Sequence, residues 1–225
     1  MYIKQVATFS ILLLLLMGGM GCQKKEIPAD KCTDIKSFSF DPVTGISTDG
    51  GHVVDFRDCE YYLLVTIGDQ VWMAENLRYA GAGGWSVPDN GPGNNGLLYD
   101  WTTLMNGETS SNSNPSGVKG LCPQGFHLPS DEEWNALEIY LGMDPNIAYD
   151  SGCCGERGTH SGILKSILYI DYLGFYNGSI TNAGHSAHFW TSTSAYERML
   201  HLGDVEVYRR TVAPNRGNSC RCVKD

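Results

Sequence analysis

The chain has 225 residues, of which 42% are hydrophobic and 18% are charged. This composition is globular and excludes a wholly disordered protein, and the length is that of one large domain. The net charge of −9, with no basic block, excludes the electrostatic pattern of a nucleic-acid-binding protein.

The first 22 residues differ in character from the rest of the chain. Lys4 precedes an apolar run over residues 6–17, and small residues then lead to Cys22. This pattern resembles a bacterial lipoprotein signal, in which the leader is removed and the cysteine is acylated. We therefore predict a signal peptide over residues 1–21 and lipidation of Cys22, with an ordinary secretory signal as the alternative. The run is too short for a membrane-spanning helix, which needs about 20 residues.

Residues 22–52 are predicted to be a tether and an N-terminal extension, because they are polar and rich in turns. They include one predicted strand over residues 37–40. Gln23 follows the acylated cysteine in place of an aspartate, and the usual sorting rule for such lipoproteins then favours the outer membrane. We expect the protein to be exposed on the cell surface, held to the membrane through its lipid anchor.

The domain proper is predicted over residues 53–225 and begins with a hairpin. Residues 61–67 are aromatic and β-branched, which is typical of a strand. Gly68 and Asp69 supply a two-residue turn, and residues 70–73 form the return strand. Residues 80–96 and 106–117 are predicted loops, separated by a short helix over residues 100–105.

The main helix is predicted over residues 130–141. Ser130 is followed three residues later by Glu133, which is the pattern of a capping box. Trp134 and Leu137 continue at helical spacing and define one apolar face. A further helix is predicted over residues 163–170, and strands over residues 188–193, 198–201, 205–209 and 219–224. Few helices with antiparallel strands at both ends predict an α+β fold.

Five phrases in this order resemble the Fibrobacter succinogenes major paralogous domain. They are IGDQVWMAENL (67–77), GLLYDW (96–101), CPQGFHLPS (122–130), FWTST (189–193) and SCRCVKD (219–225). That family is similar in fold to C-type lectin-like domains and to formylglycine-generating sulfatase modifiers. The resemblance implies a small antiparallel sheet that pairs the two ends of the domain, with a long irregular loop region above it. It also implies core positions for Trp72 and Trp134, and a disulfide between Cys122 and Cys222.

The other cysteines leave several pairings open. With Cys22 acylated, seven cysteines remain, so at least one is unpaired or pairs unusually. We expect Cys220 and Cys222 to point to opposite sides of the last strand, which argues against a bond between them. Cys153 and Cys154 are adjacent, and their state is left open.

The sequence predicts neither a metal site nor a cofactor. The Glu-Pro-Asn or Gln-Pro-Asp loop of calcium-binding C-type lectins does not occur in the sequence, and Thr191 stands where their Asn would be. Cys153, Cys154 and His160 match no zinc spacing, and His185 and His188 would lie on opposite faces of a strand.

The leading functional prediction is a non-catalytic binding or adhesion module for a glycan or a surface protein. The first alternative is a structural subunit of a surface layer or a fimbrial tip, and the second is a formylglycine-generating type of oxidase. The sequence departs most from its family over residues 144–185, where binding loops vary in this fold class. The candidate ligand-binding residues there combine aromatic rings with polar groups: Tyr172, Tyr176, Asn177, Asn182 and His185.

Overall fold

The computed structural model describes residue 32 and residues 39–88, 95–151 and 157–225. These residues contain short β-strands and three α-helices. The strands are β1 His52–Asp55, β2 Glu60–Ile67, β3 Gln70–Met73, β4 Trp85–Ser86, β5 Leu97–Leu98, β6 Phe126–His127, β7 Phe175–Tyr176, β8 Ile180–Thr181, β9 Ser186–Trp190, β10 Tyr196–His201, β11 Tyr208–Thr211 and β12 Val223–Lys224. The helices are α1 Trp101–Met105, α2 Asp131–Tyr140 and α3 Ser161–Ile167.

The central sheet has five antiparallel strands in the order β1-β2-β3-β12-β6. Val223 in β12 pairs with Trp72 on one side and with His127 on the other. The last strand of the chain therefore lies inside the sheet, beside strands from the start of the domain. This arrangement, with few helices, confirms the α+β prediction.

A second antiparallel sheet has the order β11-β10-β9. The segment before β12 joins it to the central sheet, since the backbone N–H of Ser219 donates to His188 and that of Trp190 donates to Ser219. Three residues further on, the carbonyl of Cys222 accepts from the N–H of Met73. The C-terminal segment is thus bonded to both sheets.

Alternating side chains of the central sheet enter two different hydrophobic clusters. Trp72 and Val223 belong to a cluster with α2, α3 and β9, which we call the helix-side cluster. Met73 and Cys222 belong to the other, which is covered mainly by loops and which we call the loop-side cluster. Successive residues of a strand point to opposite faces, so the two clusters lie on opposite faces of the sheet.

Helix α2 begins at the predicted capping box. The Ser130 hydroxyl accepts from the N–H of Glu133 at 3.1 Å, and the Glu133 carboxylate accepts from the N–H of Ser130 at 2.9 Å. Trp134 is fully buried, with its ring 4.8 Å from that of Trp72 and 5.7 Å from that of Phe189. The helix therefore packs its aromatic face directly on the sheet.

Four predicted elements are displaced in the structure, and one of them is the strand predicted over residues 188–193, which is Ser186–Trp190. The helix predicted over residues 163–170 is Ser161–Ile167, and the strand predicted over 205–209 is Tyr208–Thr211. Helix α3 is bonded to the segment that leads into β11: Lys165 Nζ donates to the carbonyl of His201, and Ser161 Oγ donates to that of Asp204. The strand predicted over 219–224 is regular only at Val223–Lys224, because the residues before it alternate between partners in two sheets.

The described part of the N-terminal extension is attached to the domain. Phe40 pairs with Ser47, and Ile46 pairs with Val53 of β1. A disulfide also joins Cys32 to Cys59. None of the described helices is long and apolar enough to cross a bilayer.

Candidate ligand-binding site

The β7–β8 hairpin carries two of the predicted ligand-binding residues. Tyr176 pairs with Ile180, and the exposed Asn177 begins the turn between the strands. Reciprocal backbone hydrogen bonds of 2.8 Å join Tyr176 to Gly217, and the N–H of Gly174 donates to Ser186. The hairpin is therefore fastened to the C-terminal segment and to the second sheet.

Tyr176 stacks on Trp85, which is the first residue of β4 and pairs with Leu98 of β5. The two ring centroids are 4.1 Å apart and the planes differ by 10°. Gly217 lies against the stack, since a Cβ there would come within 2.7 Å of Cε3 in the Trp85 ring and 2.8 Å of the Tyr176 Cβ. Both aromatic residues are half-buried, and Asn177, which follows Tyr176 in the chain, is exposed. We call Trp85, Tyr176 and Asn177 the hairpin surface.

Trp85 was not among the sequence-based candidates. A tryptophan within a loop, preceded by Gly83 and Gly84, is a signal that could have identified it. Its partner could not have been found in this way, because 91 residues separate Trp85 from Tyr176 and only the fold joins them.

The remaining candidates lie at the base of the hairpin. Asn182 and His185 are exposed and share a turn, in which the N–H of His185 donates to the Asn182 carbonyl at 3.0 Å. Tyr172 is half-buried and packs against the helix-side cluster. Burial also raises the pKa of Tyr172. The structure thus groups Tyr176 with Asn177 and assigns Tyr172 to packing.

Ser186, His188 and Glu197 form a buried chain that has the residue types of a hydrolytic triad. Ser186 Oγ lies 2.8 Å from His188 Nε2, and His188 Nδ1 lies 3.3 Å from Glu197 Oε1. Arg216 also places its Nη2 3.0 Å from Nδ1. Arginine can only donate, so Nδ1 accepts and the proton of the neutral ring lies on Nε2, where it cannot receive the serine proton.

The surroundings of this chain are those of a structural network. Each of its three residues is at most 1% exposed. Burial lowers the pKa of His188 and outweighs the opposite effect of Glu197, so the imidazole is neutral. The Glu197 carboxylate accepts 2.6 Å hydrogen bonds from Arg210 and Asn218. The carboxylate is therefore neutralised inside the fold and is closed to substrate.

A second buried network holds α2 against the second sheet. Arg198 donates to Asp131 and Glu138 at 2.5 Å each, and all three side chains are at most 1% exposed. Arg157 approaches Glu138 at 2.8 Å, and Arg209 approaches Asp131 at 2.8 Å. Burial raises the pKa of Glu138, but the arginines outweigh it and hold that pKa at about 2. Both carboxylates are therefore charged and paired.

Three cysteines meet in the loop-side cluster, and their positions confirm one prediction and contradict another. Cys122 and Cys222, the pair implied by the family resemblance, are bonded with an S–S distance of 2.08 Å. The prediction that Cys220 and Cys222 face opposite sides is wrong, because residues two apart on an extended chain share a face. The sulfurs of all three cysteines lie within 4.8 Å of one another.

Cys220 is a free thiol in the described part of the chain. It is buried, and burial raises its pKa well above the usual value, so it is held as the neutral thiol. Because its two neighbours form a disulfide, the cluster offers no set of thiolates to a metal. Cys22, Cys153, Cys154 and the 89–94 loop lie outside the described residues.

These features define a disulfide-linked α+β domain whose C-terminal strand lies inside its central sheet. A profile of the Fibrobacter succinogenes major domain matches residues 65–224. The chain belongs to this family. Comparisons with curated proteins and with solved structures gave no match.

Proposed function

We propose that this protein is a surface-anchored lipoprotein that acts as a non-catalytic binding module for a glycan. The observation that carries the proposal is the hairpin surface, where the Tyr176 ring stacks at 4.1 Å on Trp85 beside the exposed Asn177. Aromatic faces suit the apolar C–H face of a sugar ring, and an amide both donates to and accepts from hydroxyl groups.

The position of these residues supports recognition. They lie on the β7–β8 hairpin and on the short strand β4, next to irregular segments. Binding residues commonly occupy such surface segments, which a rigid scaffold positions. The finer fold assignment, a C-type lectin-like domain, is part of the proposal and rests on the family resemblance. In that fold class the irregular loop layer carries the ligand site.

The non-catalytic assignment is supported by the titrating clusters. The Ser186–His188–Glu197 chain and the Asp131–Glu138 network are buried and internally neutralised. A catalytic site instead requires perturbed groups that a substrate can reach. We propose no cofactor and no metal.

The proposed attachment is supported by the N-terminal pattern that ends at Cys22. Acyl chains hold a protein to a bilayer because each buried methylene contributes ~0.8 kcal/mol. We propose the outer membrane as the location, with the domain facing outward. Cys22→Ala should move the protein from the membrane fraction to the soluble fraction, and intact-mass measurement should show the loss of the acyl groups. A mutant that stays membrane-bound at unchanged mass would contradict lipidation.

The binding proposal is tested by screening the purified protein against a glycan array. Asn177→Ala and the double variant Tyr176→Ala with Asn177→Ala should lose binding by at least tenfold. Tyr169→Ala is the matched control, because Tyr169 is 63% exposed and lies outside the hairpin surface. Circular dichroism and melting curves should be unchanged in Asn177→Ala and in the control. Calcium chelation should leave binding intact.

Three results would count against parts of this proposal. A wild-type protein that binds no glycan would exclude the function itself. Full binding by the double variant would place the site away from the hairpin. Loss of binding on chelation would show a calcium requirement and would direct attention to the 89–94 loop.

A further inference from the structure

A groove of about 520 Å³ lies between the β2–β3 turn and helix α2. Its walls include Gly68 and Asp69 from the turn, Tyr140 from the last position of α2, and Asn114 from the 106–117 loop. None of its lining residues belongs to the hairpin surface. Its size is in the range of small-molecule sites.

Tyr140 is a large aromatic residue that the fold leaves in solvent, with 66% of its surface exposed. The turn supports the ring: Gly68 has φ +60°, and a Cβ at this position would lie 2.9 Å from Tyr140 Cδ2. Only glycine combines this backbone angle with such a close approach. The ring is thus supported by the turn while remaining open to the groove.

Two polar side chains of the groove are available to a ligand. Asp69 and Asn114 are exposed, and their side chains make no hydrogen bond within the described parts of the chain. Gln70, in contrast, is already engaged, since it accepts from Trp72 Nε1 at 3.1 Å and donates to the Glu133 carbonyl at 3.2 Å. Gln70 therefore forms a fixed part of the wall, whereas Asp69 and Asn114 can bind.

The loop that carries Asn114 is bonded to α2 on both sides of that residue. Asn112 Nδ2 donates to Glu132 at 3.2 Å, and the N–H of Ser116 donates to Glu133 at 3.1 Å. These contacts hold the loop against the helix that also carries Tyr140. A groove with fixed walls loses less conformational freedom when a ligand binds, which favours affinity.

We infer that this groove is a second binding site, specific for a neutral saccharide ring. The Tyr140 face suits the C–H face of the sugar. The Asp69 carboxylate accepts hydrogen bonds from hydroxyl groups, and the Asn114 amide can both donate to them and accept from them. The Asp69 carboxylate and the chain's net charge of −9 disfavour uronic or sialic acids. A single carboxylate does not supply the six or more oxygens of a calcium site.

This inference rests on the proposed glycan-binding function and adds a site and a ligand class to it. The probes are an array of neutral oligosaccharides and a matched array of oligosaccharides that carry uronic or sialic acid. The proteins are the wild type, Tyr140→Ala, Tyr140→Phe, Asp69→Asn and Tyr176→Ala. Titration calorimetry then gives the dissociation constant for each neutral saccharide that binds.

We expect at least one neutral saccharide whose affinity falls tenfold or more in Tyr140→Ala and in Asp69→Asn. Its affinity should stay within about threefold in Tyr140→Phe, which keeps the ring, and in Tyr176→Ala, which alters only the hairpin surface. Melting curves of Tyr140→Ala should match the wild type, because the side chain is mostly exposed.

Two outcomes would overturn the inference, and they are distinguishable. If the wild type binds neutral saccharides and all of them still bind Tyr140→Ala and Asp69→Asn within threefold, the groove is not a site and the proposed function stands. If the wild type binds no saccharide on either array, both proposals fail. A preference of the groove for acidic saccharides would also overturn the assigned ligand class.

Discussion

The two faces of the central sheet are stabilised by different means. On one face, regular elements cover the helix-side cluster: α2 and α3 pack on it with β9 and β10, and paired charges lie beneath α2. On the other face, loops cover the loop-side cluster, and the disulfide between Cys122 and Cys222 crosses it. A helix satisfies its own backbone hydrogen bonds and presents one apolar stripe to the sheet. Loops that cover a sheet instead depend on long-range contacts, such as a disulfide, to offset the conformational entropy lost when they are ordered.

The two faces should therefore be sensitive to different conditions. The loop side should respond to reducing agents, and the helix side should respond to pH and to changes of charge.

Removing the Cys122–Cys222 disulfide should have the largest effect. This disulfide closes a loop of 100 residues, and the chain-entropy model gives a stabilisation of about 4.7 kcal/mol for a loop of this length. The double change Cys122→Ala with Cys222→Ala should lower the free energy of unfolding by about this amount in denaturant titration. The matched comparison is Cys32→Ala with Cys59→Ala, which opens a loop of 27 residues and should cost about 3.5 kcal/mol. The opposite ranking would show that the loop-side cluster is stable without its link.

Truncating the aromatic contact of α2 should cost nearly as much. Trp134→Ala removes a fully buried ring that packs on Trp72 and Phe189, and such deletions cost about 3–5 kcal/mol. Tyr140→Ala on the same helix is the control and should change stability by less than about 0.5 kcal/mol, because its ring is exposed. A Trp134→Ala melting temperature within a degree or two of the wild type would contradict the packing of α2 on the sheet.

Breaking the buried ion network should cost about 3 kcal/mol. Arg198→Met removes one positive partner from Asp131 and Glu138. The expected cost is at the lower end of the range for breaking a buried ion pair, because Arg157 and Arg209 still neutralise these carboxylates. Urea titration at neutral pH measures the effect, with Lys224→Met as an exposed control. Since the network holds the pKa of Glu138 at about 2, its stabilisation is fully present above the unfolded pKa. It is lost as pH falls through the folded pKa of about 2. A pH-independent loss in Arg198→Met would contradict this account.

The smallest effect concerns His127, which lies on the helix side of β6. Its ring is 2.7 Å from Glu133 through Nε2 and 2.7 Å from Asp225 through Nδ1. Burial lowers the pKa of His127, but the two carboxylates outweigh it and raise that pKa above 6.5. The stabilisation is therefore complete below the unfolded pKa and is lost as pH rises through the folded pKa.

The measurement for His127 is the free energy of unfolding against pH. The advantage of the wild type over His127→Asn should shrink as pH rises from about 6 through the folded pKa, because the imidazolium that the two carboxylates favour then loses its proton. Asp225→Asn should reduce this pH dependence, and His185→Asn, at an exposed position, should leave it unchanged. An advantage that grows with pH would show that the imidazole is neutral in the folded state.

Much of the fold could be predicted because the signals are local. The turn at Gly68 and Asp69 and the capping box of Ser130 and Glu133 act within a few residues, and both occur where expected. The predicted boundaries of the displaced elements were wrong because long-range contacts act there. Lys165, for example, binds the carbonyl of His201, and no local pattern records this contact across 36 residues. Long-range contacts also separate two of the predicted ligand-binding residues. Tyr172 packs against the helix-side cluster, whereas Tyr176 stacks on Trp85.

The family, the α+β class, the main helix and the central hairpin could all be predicted from the amino-acid sequence. Spacing and turn chemistry act over short distances, and the family phrases are preserved in order along the chain. The folded structure alone shows which charges are neutralised and which rings stack. Arg198 reaches Glu138 across 60 residues, and Tyr176 reaches Trp85 across 91. Such pairings depend on how the whole chain folds back on itself, which no local pattern records.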